Sequence, residues 1–319
     1  MTKNKSILDR LLFNRFHLLE SPLFKNNLMN IKIENRCLQS FIFLLPVMLF
    51  AIIFFFIPFI KVVYMSFFKG AILGESVFVS LDNYKVLLED AGFWRAMGNT
   101  LIYTIIVTPI IFIPAVFLAV LLNRKTKNVK FFRAIYFLPV TISFVVASYI
   151  WNWIYSDIYG ILNYLLRSLH IINNPILFFG STWLARFSVS IMVGWKTIGF
   201  SMLIILAGLQ GIQQILYEAA SIDGANQWQK FKFITLPLLR PTLTFALIIS
   251  VAGSFQAFDH FYIMTGGGPA RSTETIIMYL QKIGFEYYKL NYAAAISVIF
   301  LILLLFISVL QFWAGRFNE

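Results

Sequence analysis

Cysteine is nearly absent from this chain of 319 residues: Cys37 stands alone, so no intramolecular disulfide can form. The three histidines, His17, His170 and His260, have no partner at zincin spacing, and no metal site is expected. No Gly-Lys dipeptide occurs, which removes a P-loop for nucleotide phosphate, and no Gly-x-Ser-x-Gly elbow marks a hydrolase. Charge is scarce as well. Only 13% of residues are charged, against about 25% in soluble domains. An ordinary soluble enzyme, a disordered tail and a secreted disulfide scaffold are thereby excluded. The carboxylates lie scattered over polar segments rather than paired inside apolar ones, as a proton-driven pump requires. No internal repeat suggests a transporter of inverted halves. The chain is expected to have no catalytic residue and to bind no cofactor itself.

What the chain has in excess is apolar surface: 59% of residues are hydrophobic and 18% aromatic. They come in stretches near the roughly 20 residues that a spanning helix needs. Six qualify, near Leu38–Ile60, Gly98–Leu122, Phe131–Tyr155, Leu184–Leu209, Pro241–Ile263 and Ala293–Trp313. The expected fold class is an all-α integral membrane protein with six transmembrane helices. The net charge of +12 fits loop orientation and contact with membrane lipid rather than nucleic acid. Alternate connecting segments carry sixteen Lys/Arg on one side against seven on the other. The positive-inside rule then places both termini in the cytoplasm.

The organisation read from this pattern is a cytoplasmic N-terminal segment over 1–37, a six-span membrane domain over 38–315 and a cytoplasmic tail over 316–319. In the first segment Ile7, Leu8, Leu11, Leu12 and Leu19 recur at helical spacing among basic residues. That pattern predicts an amphipathic helix on the anionic inner leaflet, with a partner contact as the other reading. Polar residues at membrane depth are candidates for a solute path. Lys196 sits mid-span, Asp259 is its only nearby acidic candidate, and Ser250 and Ser254 share one face of the fifth span. A structural ion pair and helix–helix hydrogen bonding are equally open readings.

The segment 210–240 between the fourth and fifth spans is the most informative. Leu216–Asp223 contains good helix formers, Gly224 is free to turn left-handed, and Asn226 can cap a second helix. On that helix Trp228 and Phe231 share a face, and Pro237 is expected to end it before the next span. The spacing reads Glu218-Ala219-Ala220, three residues, Gly224, nine residues, Ile234, one residue, Leu236-Pro237. It resembles the EAA loop of bacterial ABC importer permeases at all seven specified positions. At roughly 7% per residue type, a chance match is on the order of one in several hundred thousand chains of this length. The Phe78–Thr100 region and the stretch Thr265-Gly266-Gly267-Gly268-Pro269 with Thr273 and Thr275 resemble the carbohydrate-uptake branch. That branch includes the maltose transporter's F subunit and the lactose, raffinose and multiple-sugar permeases.

The resemblance implies type I importer architecture in a bacterial cytoplasmic membrane. It implies a permease subunit of an ATP-driven, binding-protein-dependent sugar importer. Its partners would be a second EAA-containing permease, two copies of a cytoplasmic ABC ATPase and an extracytoplasmic sugar-binding protein. ATP and Mg would be bound by that ATPase. Glu218, Ala219, Ala220, Asp223, Gly224, Ile234, Leu236 and Pro237 would couple to it, with Glu218 pairing with a basic residue. Alignment to the maltose-type subunit implies sugar contacts at Lys196, Thr197, Phe200, Ser250, Ser254, Gln256 and Ala257, near Val193. A non-sugar solute remains the alternative within the family. A self-contained channel or secondary transporter remains the alternative outside it.

Overall fold

The computed structural model describes residues 41, 43–70, 76–123 and 128–316. The amphipathic reading of residues 1–37 lies outside them. The chain divides into two units, 1–61 and 62–319. Helix α1, Phe43–Met65, is apolar throughout its first half, and none of its most hydropathic window is buried. Unsatisfied backbone groups are costly in lipid, and a helix satisfies them internally, so long apolar helices dominate the rest.

The second unit begins with a two-stranded antiparallel ribbon, β1 (Phe68–Lys69) and β2 (Val77–Phe78). Helix α2 (Asp82–Glu89) follows, then α3 (Ala91–Leu121), α4 (Val129–Phe137), α5 (Phe144–Ile154) and α6 (Ile161–Ser168). Helix α7 spans Thr182–Gly211 and α8 Gln214–Ile222. Next come α9 (Gln227–Phe255), α10 (Asp259–Met264), α11 (Ile276–Gln281) and α12 (Leu290–Arg316). Among the described residues five helices are long and apolar enough to cross a membrane, or six if the bent pair Val129–Thr141 and Phe144–Ile154 is one span.

Helix α3 is the axis of the core. Along its length Phe93, Ala96 and Met97 enter one apolar cluster, Tyr103, Val107 and Ile111 a second, and Ala115, Leu118 and Ala119 a third. Helix α7 joins the second through Val189, Met192 and Val193, and the third through Met202, Ile205 and Leu206. Small residues permit this close packing, as lipid supplies no hydrophobic drive between helices. A Cβ on Gly194 would lie 2.7 Å from Ile110 Cγ2.

Asp90 sets where α3 starts. Its Oδ1 accepts from the amides of Gly92 (2.8 Å) and Phe93 (3.3 Å), capping the helix. Its Oδ2 accepts from Tyr279 Oη and Tyr292 Oη, both at 2.6 Å, so one carboxylate ties α3 to α11 and α12. Burial alone raises its pKa, yet these four donors outweigh it and hold the group below its ordinary 3.8.

Two expected spans differ in shape. The stretch Phe131–Tyr155 is not one straight helix: it bends by 98° around residues 138–143. Pro139 lacks an amide donor and tightens the chain into a single 3-10 turn, Leu138–Thr141. Ser143 then caps α5 by accepting from Val146 N at 3.2 Å. The fifth stretch, expected over Pro241–Ile263, starts earlier and ends earlier. Pro237 does not stop the preceding helix, because a wide turn at Phe231–Thr235 absorbs the missing donor and the helix continues to Phe255. Beyond Phe255 the chain leaves helical geometry, with Phe258 at φ −136°, before α10 starts at Asp259.

Candidate functional site

The turn between α8 and α9 has the helix–turn–helix form expected for the 210–240 segment. Gly224 takes φ +78°, the left-handed region, and Ala225 N donates to Ala220 O at 2.9 Å to close α8. Asn226 Oδ1 accepts from Gln229 N at 2.9 Å, and Gln229 Oε1 accepts from Asn226 N at 2.7 Å. This is a reciprocal capping box, and it fixes the entry to α9. Lys230 Nζ donates to Ser221 Oγ at 2.7 Å, and the Tyr217 and Thr235 hydroxyls lie 2.9 Å apart, so the two arms are pinned twice. The rings of Trp228 and Phe231 stack at 5.8 Å.

The surface of this turn is open. Glu218, Ala219, Asp223, Gly224, Leu236 and Pro237 are exposed, while Ala220 and Ile234 are half-buried. Among the described residues the one hydrogen bond to the Glu218 side chain comes from Gln214, whose Nε2 donates to Oε1 at 3.0 Å. Beside it Ile222 is 87% exposed and Trp228 68% exposed. A turn this firmly tied, holding a carboxylate beside bare apolar side chains, has the composition of a protein-docking surface.

The second candidate site is a cavity of about 220 Å³ bounded by α3, α5, α7, α9 and α10. Thr197 and Phe200 from α7, Ser250 and Ser254 from α9, and Gln256 just beyond it all line this space, with Val193 beside them. Thr197 Oγ1 donates to Val193 O at 2.6 Å. Ser254 Oγ donates to Val251 O at 2.7 Å and stands 2.9 Å from Thr104 Oγ1. Ser250 Oγ is buried and has no hydrogen-bond partner among the described residues. Residues not singled out in the sequence complete the wall: Tyr103, Phe144, Phe258 and His260. Tyr103 Oη and His260 Nε2 pair at 3.1 Å. Tyr103, Val107 and Ile111 recur every four residues, which was the available signal for a shared face.

Two residues named with this group lie elsewhere. Ala257 is buried in the core beside the cavity, 1% exposed, and its carbonyl accepts from Thr275 Oγ1 at 2.7 Å. Lys196 is only 5% exposed and is absent from the lining. Its Nζ donates to Val140 O at 3.3 Å and sits 4.5 Å over the Phe144 ring. The 3-10 break between α4 and α5 presents that carbonyl to it. Asp259 is exposed on the cavity side, and among the described residues no ion pair joins it to Lys196. One turn along α7, a Cβ on Gly199 would strike the Tyr136 carbonyl, so α7 seats directly on the corner that Lys196 holds.

The Thr-Gly-Gly-Gly-Pro stretch closes the same end of the unit. Gly266 and Gly267 adopt positive φ, and Thr273 Oγ1 donates to Gly268 O at 2.7 Å. Asn99 Nδ2 donates to Arg271 O (2.8 Å) and Glu274 O (3.1 Å). Arg186 donates to Asn99 Oδ1 (2.8 Å) and to Ser272 O (2.9 Å). The loop is thus clamped to α3 and α7. Through Thr275 and Ala257 it also holds the break that forms one wall of the cavity.

A family model described as "binding-protein-dependent transport system inner membrane component" matches residues 91–318. The trehalose/maltose transport system permease protein of Thermococcus litoralis is 32% identical over 284 residues, covering 88% of this chain and 94% of the relative. The lactose transport system permease protein of Rhizobium radiobacter is 33% identical over 282 residues, covering 87% and 94%. In fold, the chain is similar to one chain of a bacterial ABC transporter involved in the import of the acidic polysaccharide alginate. That match has a TM-score of 0.76 at 23% identity, and covers 92% of this chain and 99% of the other.

Proposed function

Because the chain belongs to the family of binding-protein-dependent transport system inner membrane components, a multi-pass membrane family, we propose the following role. It is one permease half of a sugar importer in a bacterial cytoplasmic membrane, with six spans and both termini in the cytoplasm. It takes its sugar from an extracytoplasmic binding protein. It binds no ATP or other cofactor itself, and is driven by two copies of an ABC ATPase that carry ATP and Mg. The observation that carries this reading is the pinned turn at Gly224, which displays Glu218 and Ile222 on a chain without a nucleotide-binding loop.

In this reading Glu218 pairs with a cationic group of the ATPase and Ile222 fills an apolar recess there. Ala219 and Ala220 permit close approach, and Asp223 and Gly224 shape the turn. Ile234, Leu236 and Pro237 carry the movement into α9, which supplies Ser250 and Ser254 to the cavity. Thr197, Phe200 and Gln256 complete the sugar's surroundings. Lys196 and Ala257 act from behind the wall, Lys196 by fixing the corner on which Phe144 is mounted. Sugars of the kinds named for the relatives, oligosaccharides with many hydroxyls, suit a wall of serine, threonine and amide groups beside aromatic rings.

Gly224→Val tests the turn. No atom lies within 4 Å of the new Cβ, so the cost is confined to the backbone at φ +78°. Left-handed geometry costs an L-residue about 1–2 kcal/mol, and a β-branched one tolerates it poorly. Co-purification of the ATPase with the variant is expected to fall severalfold while membrane insertion stays at the wild-type level. Unchanged recovery of the ATPase would count against the docking role.

A second permease is the other requirement, since this chain encloses only part of a pathway. Expressed with the ATPase and binding protein but without another permease, it is expected to show no uptake. Adding the second permease should restore uptake together with sugar-stimulated ATP hydrolysis. Active uptake by a homodimer would overturn this part of the proposal.

A further inference from the structure

The charges around the cavity are asymmetric. Among its lining residues Asp259 is the only carboxylate, and none is a lysine or arginine. Lys196 is not among them: its ammonium donates to Val140 O and lies over the Phe144 face. His260 is committed to Tyr103 Oη and lies among aromatic rings. Asp259 itself has no ion pair among the described residues, and it is the first residue of α10, exposed toward the cavity. Ser250 Oγ, on the facing helix, is buried in the same lining with no hydrogen-bond partner among the described residues.

Resting on the sugar-importer reading above, we infer that Asp259 is the charge-selecting residue of this cavity, and that the chain favours neutral over carboxylated sugars. A carboxylate accepts hydrogen bonds from sugar hydroxyls at both oxygens, and the unpartnered Ser250 hydroxyl can receive or complete another. A uronate brought into the same space would place a second carboxylate beside Asp259. At contact range their repulsion persists even for an exposed carboxylate, and no lysine or arginine in the lining offsets it. Lys196, which the family resemblance placed among the sugar contacts, acts through the corner of α4 and α5 instead.

The test uses the complete transporter, with second permease, ATPase and binding protein, in proteoliposomes. The probes are maltose, trehalose, lactose and raffinose, each paired with the uronate made by oxidising a primary alcohol. The readout is the acid-to-neutral ratio of initial uptake rates, so the binding protein's own preference cancels between variants. Asp259→Asn is expected to raise that ratio about tenfold or more, the effect of removing one like charge a few ångströms from the uronate. Asp259→Glu should keep the wild-type ratio, and Lys196→Met should leave it unchanged even where the total rate falls. Asp259→Ser replaces the asparagine variant should the latter not assemble. A ratio that moves less than about twofold in the Asp259 variants would overturn the inference, as would a selective loss of acid uptake in Lys196→Met. Uptake of none of the eight sugars by the wild type would instead overturn the sugar reading itself.

Discussion

Glu218→Lys is expected to abolish transport and sugar-stimulated ATP hydrolysis while leaving the chain folded and inserted. Among the described residues the Glu218 side chain has one hydrogen bond, from Gln214 at 3.0 Å on the exposed face of α8, so the substitution disturbs no span. Surface changes of this kind alter stability by about 0.5 kcal/mol at most. At a docking interface the same reversal replaces attraction by repulsion. Losing one member of a close charge pair costs about 2–5 kcal/mol, and each 1.4 kcal/mol is about a tenfold loss of affinity. Uptake by reconstituted vesicles and ATPase recovery measure it together. A variant that assembles and transports like the wild type would remove Glu218 from the coupling surface. A charge-reversing substitution on the ATPase that restored transport would identify its partner.

Arg186→Met is expected to do comparable damage by another route, through the fold. Arg186 is 6% exposed, with its guanidinium on Asn99 Oδ1 and Ser272 O and 5.1 Å from the Trp183 ring. Methionine keeps the bulk but leaves both oxygens without that donor, at about 1–3 kcal/mol each. Asn99 also holds the 265–275 loop, and Thr275 ties that loop to the break at Ala257. The purified complex should therefore melt several degrees lower, and the cavity should lose its defined wall, so uptake falls more than the yield of protein does. Arg186→Lys should recover only part of the loss, as an ammonium cannot span both acceptors in one plane. A melting midpoint equal to wild type would show that the clamp is dispensable.

The sequence made the turn at Gly224 readable because its determinants are local. Gly224 at a left-handed turn and Asn226 at a helix start are choices made within a few residues, and the structure places both as expected. The membrane class was readable for a similar reason, since apolar length alone signals a span. What hydropathy does not register is direction. Phe131–Tyr155 reads as one apolar stretch although Pro139 and Ser143 turn it by 98°. Ala257 and Phe258 are apolar and so hide the break between α9 and α10. Lys196 shows the consequence for the cavity. A lysine at mid-span suggests a solute path or an acidic partner, but its actual acceptor is a carbonyl that exists only because the neighbouring helix is broken. Ser250, Ser254 and Gln256 were legible as polar positions of the fifth span, whereas Thr197 and Phe200 were singled out only through the family resemblance. Tyr103 and His260, far apart in sequence, meet at the cavity only through tertiary packing.

The central claim is that this chain moves sugar only as part of an ATP-driven assembly. The most direct test is sugar uptake into proteoliposomes, with the chain reconstituted alone or with the second permease, ATPase and binding protein, and with or without ATP on the ATPase side. The account predicts uptake only in the complete assembly with ATP, and its loss when a non-hydrolysable analogue replaces ATP. Uptake by the chain alone, down a gradient and without ATP, would contradict it and make the protein a self-contained channel or carrier.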